Sequence, residues 1–206
     1  MATQGSGRRA EYAAATRQAI LAAARQLFVE RGYFDTRVED IARAARVAVP
    51  TVYAAGGGKS GLLRTLIEDG VHAAEAGGIH DHIAAQTDPV ALLRMIVDGT
   101  CDEFGKWGPL MRQVTAAAPK DAAVRESLGL AHASLRAGLA ATASRLDELG
   151  ALRPGLTVPE ATDVLWYFLG NGSYFTLTDD CGWPLERSTQ WLYECLTTTL
   201  IDGGAG

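Results

Sequence analysis

The stretch TVYAAGGGKSGLL, Thr51 to Leu63, places three glycines ahead of Lys59 and Ser60. These are the residue types that cradle a phosphate, since closely approaching backbone N–H groups and a lysine ammonium both answer its negative oxygens. The loop that does this for nucleotides needs G-x-x-x-x-G-K-[ST] and leaves a buried strand. Counting back from Gly58, the first glycine of that spacing falls at Tyr53. Upstream, VEDIARAARVAVPTVY carries alanine and arginine at helical spacing rather than a β-branched run. The segment therefore reads as a turn between two helices, not as a nucleotide site.

Other candidate chemistry is sparse. His80 and His82 have no third metal ligand nearby, Asp102 and Glu103 are adjacent and cannot face one another on a helix, and His132 lies among alanines without a paired Ser or Cys. No catalytic residue, metal site or cofactor is expected, and the chain is not read as an enzyme. Cys101, Cys181 and Cys195 form no CxxC pair and are odd in number, as suits reduced thiols in a cytoplasm. The first residues lack an apolar core and cleavage site for export, and no apolar run approaches the roughly 18 residues of a membrane span. A cytoplasmic protein with no membrane partner is the expectation.

Charge is unevenly spread. Residues 1–64 hold nine arginines and one lysine against five acids, a net +5, whereas the remainder holds nine bases and 19 acids, a net −10. A basic first third on an acidic body is the footprint of a chain that meets a polyanion at one end.

The elements that must position these residues read as helices throughout. Ile20, Ala24, Leu27 and Phe28 repeat at i, i+4, i+7, i+8 in a first helix over Ala10–Arg31 that Gly32 stops. Thr36 with Glu39 reads as a capping box opening a second helix with Val38, Ile41, Ala42 and Ala45 inward. A third starts near Ala48 with Pro50 in its first turn, and a fourth runs from near Gly58 toward Ala76. A longer helix followed by two short ones, joined over Arg46 to Ala48, is a helix-turn-helix pattern. GIHDHIAAQTDP reads as a polar linker, VALLRMIVDGTCDEF and PLMRQVTAAA as two helices, and DAAVRES to LDELG as one long helix. TVPE, Thr157 to Glu160, is a second capping box, and the last helix spans Leu185 to Leu200. The final two long helices carry apolar residues on more than one side, so Leu165, Leu169, Trp191, Leu192, Cys195 and Leu196 are candidates for self-association.

The run TRQAILAAARQLFVERGYFDTRVEDIARAARVAVPTVYAAGGGKSGLL, Thr16 to Leu63, resembles the tetracycline-repressor-like (TetR) transcriptional regulators. It matches an amphipathic first helix, RGY, a capped T-x-V-x-D-I-A helix, V-x-x-x-T-[VL]-Y and a GK start to the fourth helix, while GWPLERSTQWLYECL is similar to the last helix of some members. Two positions depart from the family pattern. Arg46 stands where glycine is usual in the turn, and Gly56 where an aromatic is usual.

The resemblance implies an all-α chain, with a helix-turn-helix DNA-binding domain over 1–58 and a ligand-binding and dimerisation domain over 59–206. It implies double-stranded operator DNA, an unknown small-molecule effector and a second copy of the chain as partners. The first turn of the third helix presents Val49, Pro50 and Thr51 to a major groove, a set poor in donors, with Arg37 and Arg46 nearby. Thr36, Tyr53 and Lys59 match family positions that bind the DNA backbone, although Tyr53 also suits a core aromatic with a solvated hydroxyl. Arg8 and Arg9 suit either a minor-groove arm or an unordered tail. Met95, Trp107, Met111, Trp166, Phe168, Tyr174 and Phe175 are candidates for the implied pocket. The reading is a homodimeric repressor released from a palindromic operator by a small molecule. A small-molecule binding or catalytic protein with a degenerate helix-turn-helix is the alternative, and salt-dependent DNA binding separates the two.

Overall fold

The computed structural model describes residues 4–201, apart from the side chains of 4–7, 9, 74 and 75. Their order is α1 (Gln4–Arg31), α2 (Val38–Ala44), α3 (Val49–Gly56), α4 (Lys59–Ala76), α5 (Ile79–Ala85), α6 (Pro89–Ala117), α7 (Ala122–Glu148), α8 (Val158–Leu169), α9 (Asn171–Phe175), a π-helical turn (Thr176–Asp180) and α10 (Leu185–Leu200). The all-α expectation holds among the described residues, where the extended pairing is an isolated bridge between Leu152 and Ile201. Residues cluster into two compact units. One takes the chain through Val71 plus Pro109–Ala131, the other His72–Gly108 plus the chain from His132 onward. The first unit therefore reaches past residue 58 and includes a later piece of chain.

In the first unit α1 buries the expected stripe: Ile20, Ala24 and Phe28 are fully covered and Leu27 nearly so. Gly32, at φ 90°, turns the chain out, its N–H donating to the Phe28 carbonyl at 3.1 Å. Arg8 lies exposed on α1, which begins six residues before the expected Ala10, so this arginine belongs to a helix rather than a tail. The side chain of Arg9 lies outside the described residues.

The capping box expected at Thr36 does not form. Thr36 is buried, and its hydroxyl is shared between the carbonyls of Gly32 at 2.8 Å and Leu27 at 3.1 Å, at and just past the end of α1. Arg37 is the N-cap of α2 and makes no side-chain cap, while Glu39 and Asp40 place negative charge in the first turn. At the other end, Arg46 N–H donates to Arg43 O at 3.2 Å and Val47 N–H to Ala42 O at 3.0 Å. This is a Schellman closure with Arg46 as its left-handed residue, at φ 57°.

The turn between α3 and α4 uses Gly57 (φ 66°) and Gly58 (φ 95°), both left-handed. A helix precedes it, so the strand that a nucleotide loop requires is not there. The two helix ends meet at backbone contact: a methyl group on Gly61 would stand 1.8 Å from the Gly56 carbonyl oxygen, and one on Gly56 would stand 2.4 Å from Leu62 Cδ2. The aromatic usual at position 56 in the resembling family has no room in this packing.

Two expectations for the second half are corrected. The linker after Gly78 contains helix α5, because Ile83 is buried in the core and Gly78, at φ 68°, supplies the entry. The two helices expected around Pro109 are one, α6, which runs through that proline. The proline removes one N–H of the ladder, but buried Leu110, Met111 and Val114 after it hold the helix by packing.

In the second unit the main core gathers Leu92, Leu93, Ile96 and Val97 of α6, Leu139, Ala143 and Leu146 of α7, Ala161, Leu165 and Leu169 of α8, and Leu196 and Leu200 of α10. A smaller cluster joins Phe104, Tyr174, Leu177 and Leu192. The capping box expected at Thr157 is formed. Its backbone N–H donates to Glu160 Oε2 at 2.9 Å while Glu160 N–H returns to Thr157 Oγ1 at 3.4 Å; the Thr157 hydroxyl, donating to the same Oε2 at 2.7 Å, and then that backbone N–H hold the Glu160 carboxyl below its usual range. After the core helices, Arg153 N–H donates to Leu200 O at 2.8 Å and ties the end of α10 to the α7–α8 connection.

A left-handed conformation at a non-glycine residue costs on the order of 1 kcal/mol. Arg46→Gly is therefore expected to raise stability by about 1 kcal/mol, read as a higher urea midpoint at unchanged slope. Arg46→Ala, which keeps the Cβ, is expected to leave the midpoint near that of the parent, and equal midpoints for all three chains would refute the strain.

Candidate nucleic-acid interface

Helix α3 is anchored by one inward residue. Val52 is fully buried, so the helix turns the remainder of its first turns outward: Pro50 is exposed, Val49 and Thr51 are half-buried, and Tyr53 is 53 % exposed. Ala48, extended at ψ 148°, delivers the chain into α3 without a side-chain cap, and Pro50 occupies the first turn, where an N–H has no helical acceptor. The Tyr53 ring lies over the turn, its Cε1 3.2 Å from where a Cβ on Gly58 would be. Its exposure excludes the core-aromatic reading. Arg37, at the N-cap of α2, and Arg46, in the turn before α3, are both exposed. Of the eight residues expected at the DNA, Thr36 has its hydroxyl turned inward to α1, so that hydroxyl offers no donor to phosphate.

Lys59, first residue of α4, has the most structured surroundings. Its ammonium donates to Phe34 O at 3.2 Å and lies 4.4 Å from the centroid of Tyr33 and 5.8 Å from that of Phe34. Burial pushes its pKa down from the usual lysine value, against the pull of Asp121 and Asp35, which favour the charged form. The Tyr33 phenol is pushed up to about 12, by burial first and then by Asp121. Sequence reasoning did not single out Tyr33, Phe34 or Asp121. Tyr33 stood in the RGY motif, but Asp121 is 62 positions after Lys59 and nothing in its neighbourhood signals the contact.

The pocket candidates do not gather in one place. Met95, Trp166 and Phe168 pack on the main core of the second unit, Tyr174 and Phe175 belong to the smaller cluster, Trp107 is half-buried, and Met111 is buried in the first unit. Tyr174 stacks on Phe104 at 4.7 Å, and its hydroxyl lies 3.1 Å from that of Thr100, so the cluster fills its own interior. An open groove of about 310 Å³ is lined by Phe168, Trp191, Glu194, Cys195, Thr198 and Thr199. His132 packs edge-on against Trp166 with ring centres 5.0 Å apart, and no cluster of ligands suited to a metal occurs among the described residues.

The self-association candidates divide. Leu165, Leu192 and Leu196 are fully buried and Leu169 nearly so within the single chain, which corrects their assignment as surface contacts: they are its core. Trp191, 40 % exposed, and half-buried Cys195 remain on the surface, and Tyr167, 73 % exposed on α8, joins them there. The apolar excess of α8 and α10 was legible in the sequence, but which side faced the core was not. Among the described residues no helix is long and apolar enough to cross a membrane.

Residues 20–66 match the family model described as bacterial regulatory proteins, tetR family. No curated protein matches the chain. Among solved structures, a putative TetR-family transcriptional regulator from Syntrophomonas wolfei is 20 % identical with a TM-score of 0.73, covering 89 % of this chain and 93 % of its own. A putative transcriptional regulator from Saccharomonospora viridis in complex with choline is 19 % identical with a TM-score of 0.75, covering 92 % and 99 %. NalD of Pseudomonas aeruginosa, the secondary repressor of the MexAB-OprM multidrug efflux pump, is 22 % identical with a TM-score of 0.65, covering 91 % and 97 %. With α3 turned outward, Lys59 at the head of α4 and these likenesses together, residues 20–66 are a TetR-family N-terminal domain on a chain with the fold of TetR-family transcriptional regulators.

Proposed function

We propose that the protein is a DNA-binding transcriptional regulator of the cytoplasm, working as a homodimeric repressor that a small molecule releases from a palindromic operator. The observation that carries this is the outward turn of α3, which leaves Pro50 and Tyr53 exposed, as Arg37 and Arg46 are, on the basic third of the chain. Residues 1–58 act as the DNA-binding domain and 59–206 as the ligand-binding and dimerisation domain. Base reading falls to Val49, Pro50 and Thr51, whose methyl and ring groups suit thymine methyls. Tyr53, Lys59 and the two arginines supply phosphate contacts. Thr36 serves by holding the end of α1 in place.

The dimer forms on the face of α8 and α10 that bears Tyr167, Trp191 and Cys195, with the groove beside Phe168 filled by the partner. Large exposed aromatics around an apolar groove favour an interface between copies. The effector site lies among the helices of the second domain. The choline complex of the Saccharomonospora viridis regulator and the repressor role of NalD support this part by likeness of fold.

Footprinting is expected to show two half-sites related by a two-fold axis, about 34 to 36 Å apart or a multiple of that. Lys59→Ala should weaken binding to every sequence and lower the slope of log affinity against log salt by about one, while Thr51→Ala should change base preference. An unchanged slope in Lys59→Ala would remove the lysine from the backbone contact, and salt-independent or absent binding by the parent would favour the small-molecule protein with a degenerate helix-turn-helix.

Trp191→Asp is expected to yield a folded monomer by sedimentation and circular dichroism, with operator affinity lost alongside the dimer, because the charge falls on an exposed ring position. Leu192→Asp, one residue on, places the charge in the core and should cost helical signal instead. A Trp191→Asp chain that stays dimeric would move the interface elsewhere.

Ligand and operator are expected to oppose one another. All four tryptophans, Trp107, Trp166, Trp183 and Trp191, lie outside residues 1–58, so their fluorescence reports on the second domain. A small molecule retained by the natively purified protein should titrate more tightly without operator than with it, by the same factor through which it weakens DNA binding. Coincident titrations would exclude release by that molecule.

A further inference from the structure

The Tyr33 ring beneath the Lys59 ammonium is 4 % exposed and is fixed on several sides. Phe28 lies 5.4 Å away at a tilt of 53° and Phe34 5.5 Å away at 73°. Its hydroxyl donates to Oδ2 of Asp121 at 3.3 Å. The other oxygen of the same carboxylate is also engaged: Oδ1 accepts from the backbone N–H of Ala123 at 2.9 Å and of Val124 at 3.2 Å, in the first turn of α7. One carboxylate therefore joins the start of α7 to the ring on which the lysine of α4 rests.

We propose that Asp121 is a positioning residue for the DNA contact, holding the Lys59 ammonium through Tyr33 at the place from which it meets phosphate and tying that place to the start of α7. The proposal rests on the DNA-binding reading above. An ammonium has three N–H donors, of which the Phe34 carbonyl takes one, while the ring face under it limits the lysine's conformations. A lysine so held loses less side-chain freedom when a phosphate arrives. Without the Tyr33 hydroxyl bond the charge remains but the ring loses its tie to the start of α7 and holds the ammonium less closely, so affinity falls while the number of displaced counterions does not.

The test uses a duplex selected by the parent protein from a random library, with binding followed by fluorescence anisotropy over a range of salt. Tyr33→Phe removes only the hydroxyl. Asp121→Asn keeps an amide oxygen for the α7 cap but removes the negative charge that favours the Lys59 ammonium. Each is expected to weaken binding about tenfold at every salt concentration with an unchanged slope, the low end of the scale of one hydrogen bond to a charged group. Lys59→Ala lowers the slope, and adding Tyr33→Phe to it should cause no further loss, because the bond acts through the lysine.

The direction for Asp121→Asn separates the proposal from simple repulsion: removing an acid near DNA by itself strengthens binding. Stronger binding by Asp121→Asn, parent-like binding by Tyr33→Phe, or additive losses with Lys59→Ala would each overturn the positioning role. Circular dichroism establishes that each variant is folded. If Tyr33→Phe is not, the cycle with Lys59→Ala is run with Asp121→Asn and is decided the same way. A library from which no duplex is enriched overturns the DNA-binding reading and this inference together, whereas an enriched duplex with additive losses overturns this inference alone.

Discussion

The contact between the Gly56 carbonyl and Gly61 is the constraint on which the helix-turn-helix end of the first unit depends. With 1.8 Å between that oxygen and the place of a Cβ on residue 61, the last turn of α3 and the first of α4 lie backbone against backbone. Side chains of ordinary size would hold the two helices apart. The direction of α3, with Val52 inward and Pro50 and Tyr53 outward, and the position of Lys59 at the head of α4 both follow from this approach. The glycines read as a loose turn in the sequence are therefore also a packing surface. Two of them, Gly57 and Gly58, supply the left-handed backbone, and the outer two supply the contact.

Five buried hydroxyls inside the two units are satisfied on their own helices. Ser127 donates to Ala123 O at 3.0 Å, Thr142 to Gly138 O at 2.9 Å, Thr162 to Val158 O at 2.8 Å, Ser188 to Pro184 O at 3.1 Å and Thr189 to Leu185 O at 2.8 Å, each four residues back on its own helix. A buried hydroxyl bonded in this way avoids the cost of an unpaired group without requiring a partner from another helix. Two buried hydroxyls of the first unit that reach across elements, Thr36 to the end of α1 and Tyr33 to Asp121, sit next to the residues proposed for DNA.

Much of the architecture was legible because it rests on local signals. The bounds of α10, the cap and start of α8, the start of α4 and the stop of α1 at Gly32 all follow from capping residues, glycine and helical period, which act within a few residues. The left-handed Arg46 was legible only through the family resemblance, in which glycine is usual at that place in the turn. Thr36 was misread because two hydrogen-bonding opportunities competed: the α2 N-terminus and the carbonyls of Leu27 and Gly32 around the end of α1 are both within reach, and burial against α1 decided for the latter. Pro109 was read as a break by a rule about isolated helices, whereas packing of Leu110, Met111 and Val114 outweighs one lost N–H.

At the candidate sites the same division holds. The sequence by itself determined a helix-turn-helix with Lys59 at the start of α4, since residue order, caps and period suffice for that, and it determined that α8 and α10 carry more apolar surface than one face can hold. Which leucines of those helices become core, and which aromatics stay outside, was decided by the tertiary structure, because a stripe has no side until neighbouring helices choose one. Asp121 reaches Tyr33 for the same reason: two residues 88 apart in the chain are brought to 3.3 Å by the fold alone, and no local rule connects them.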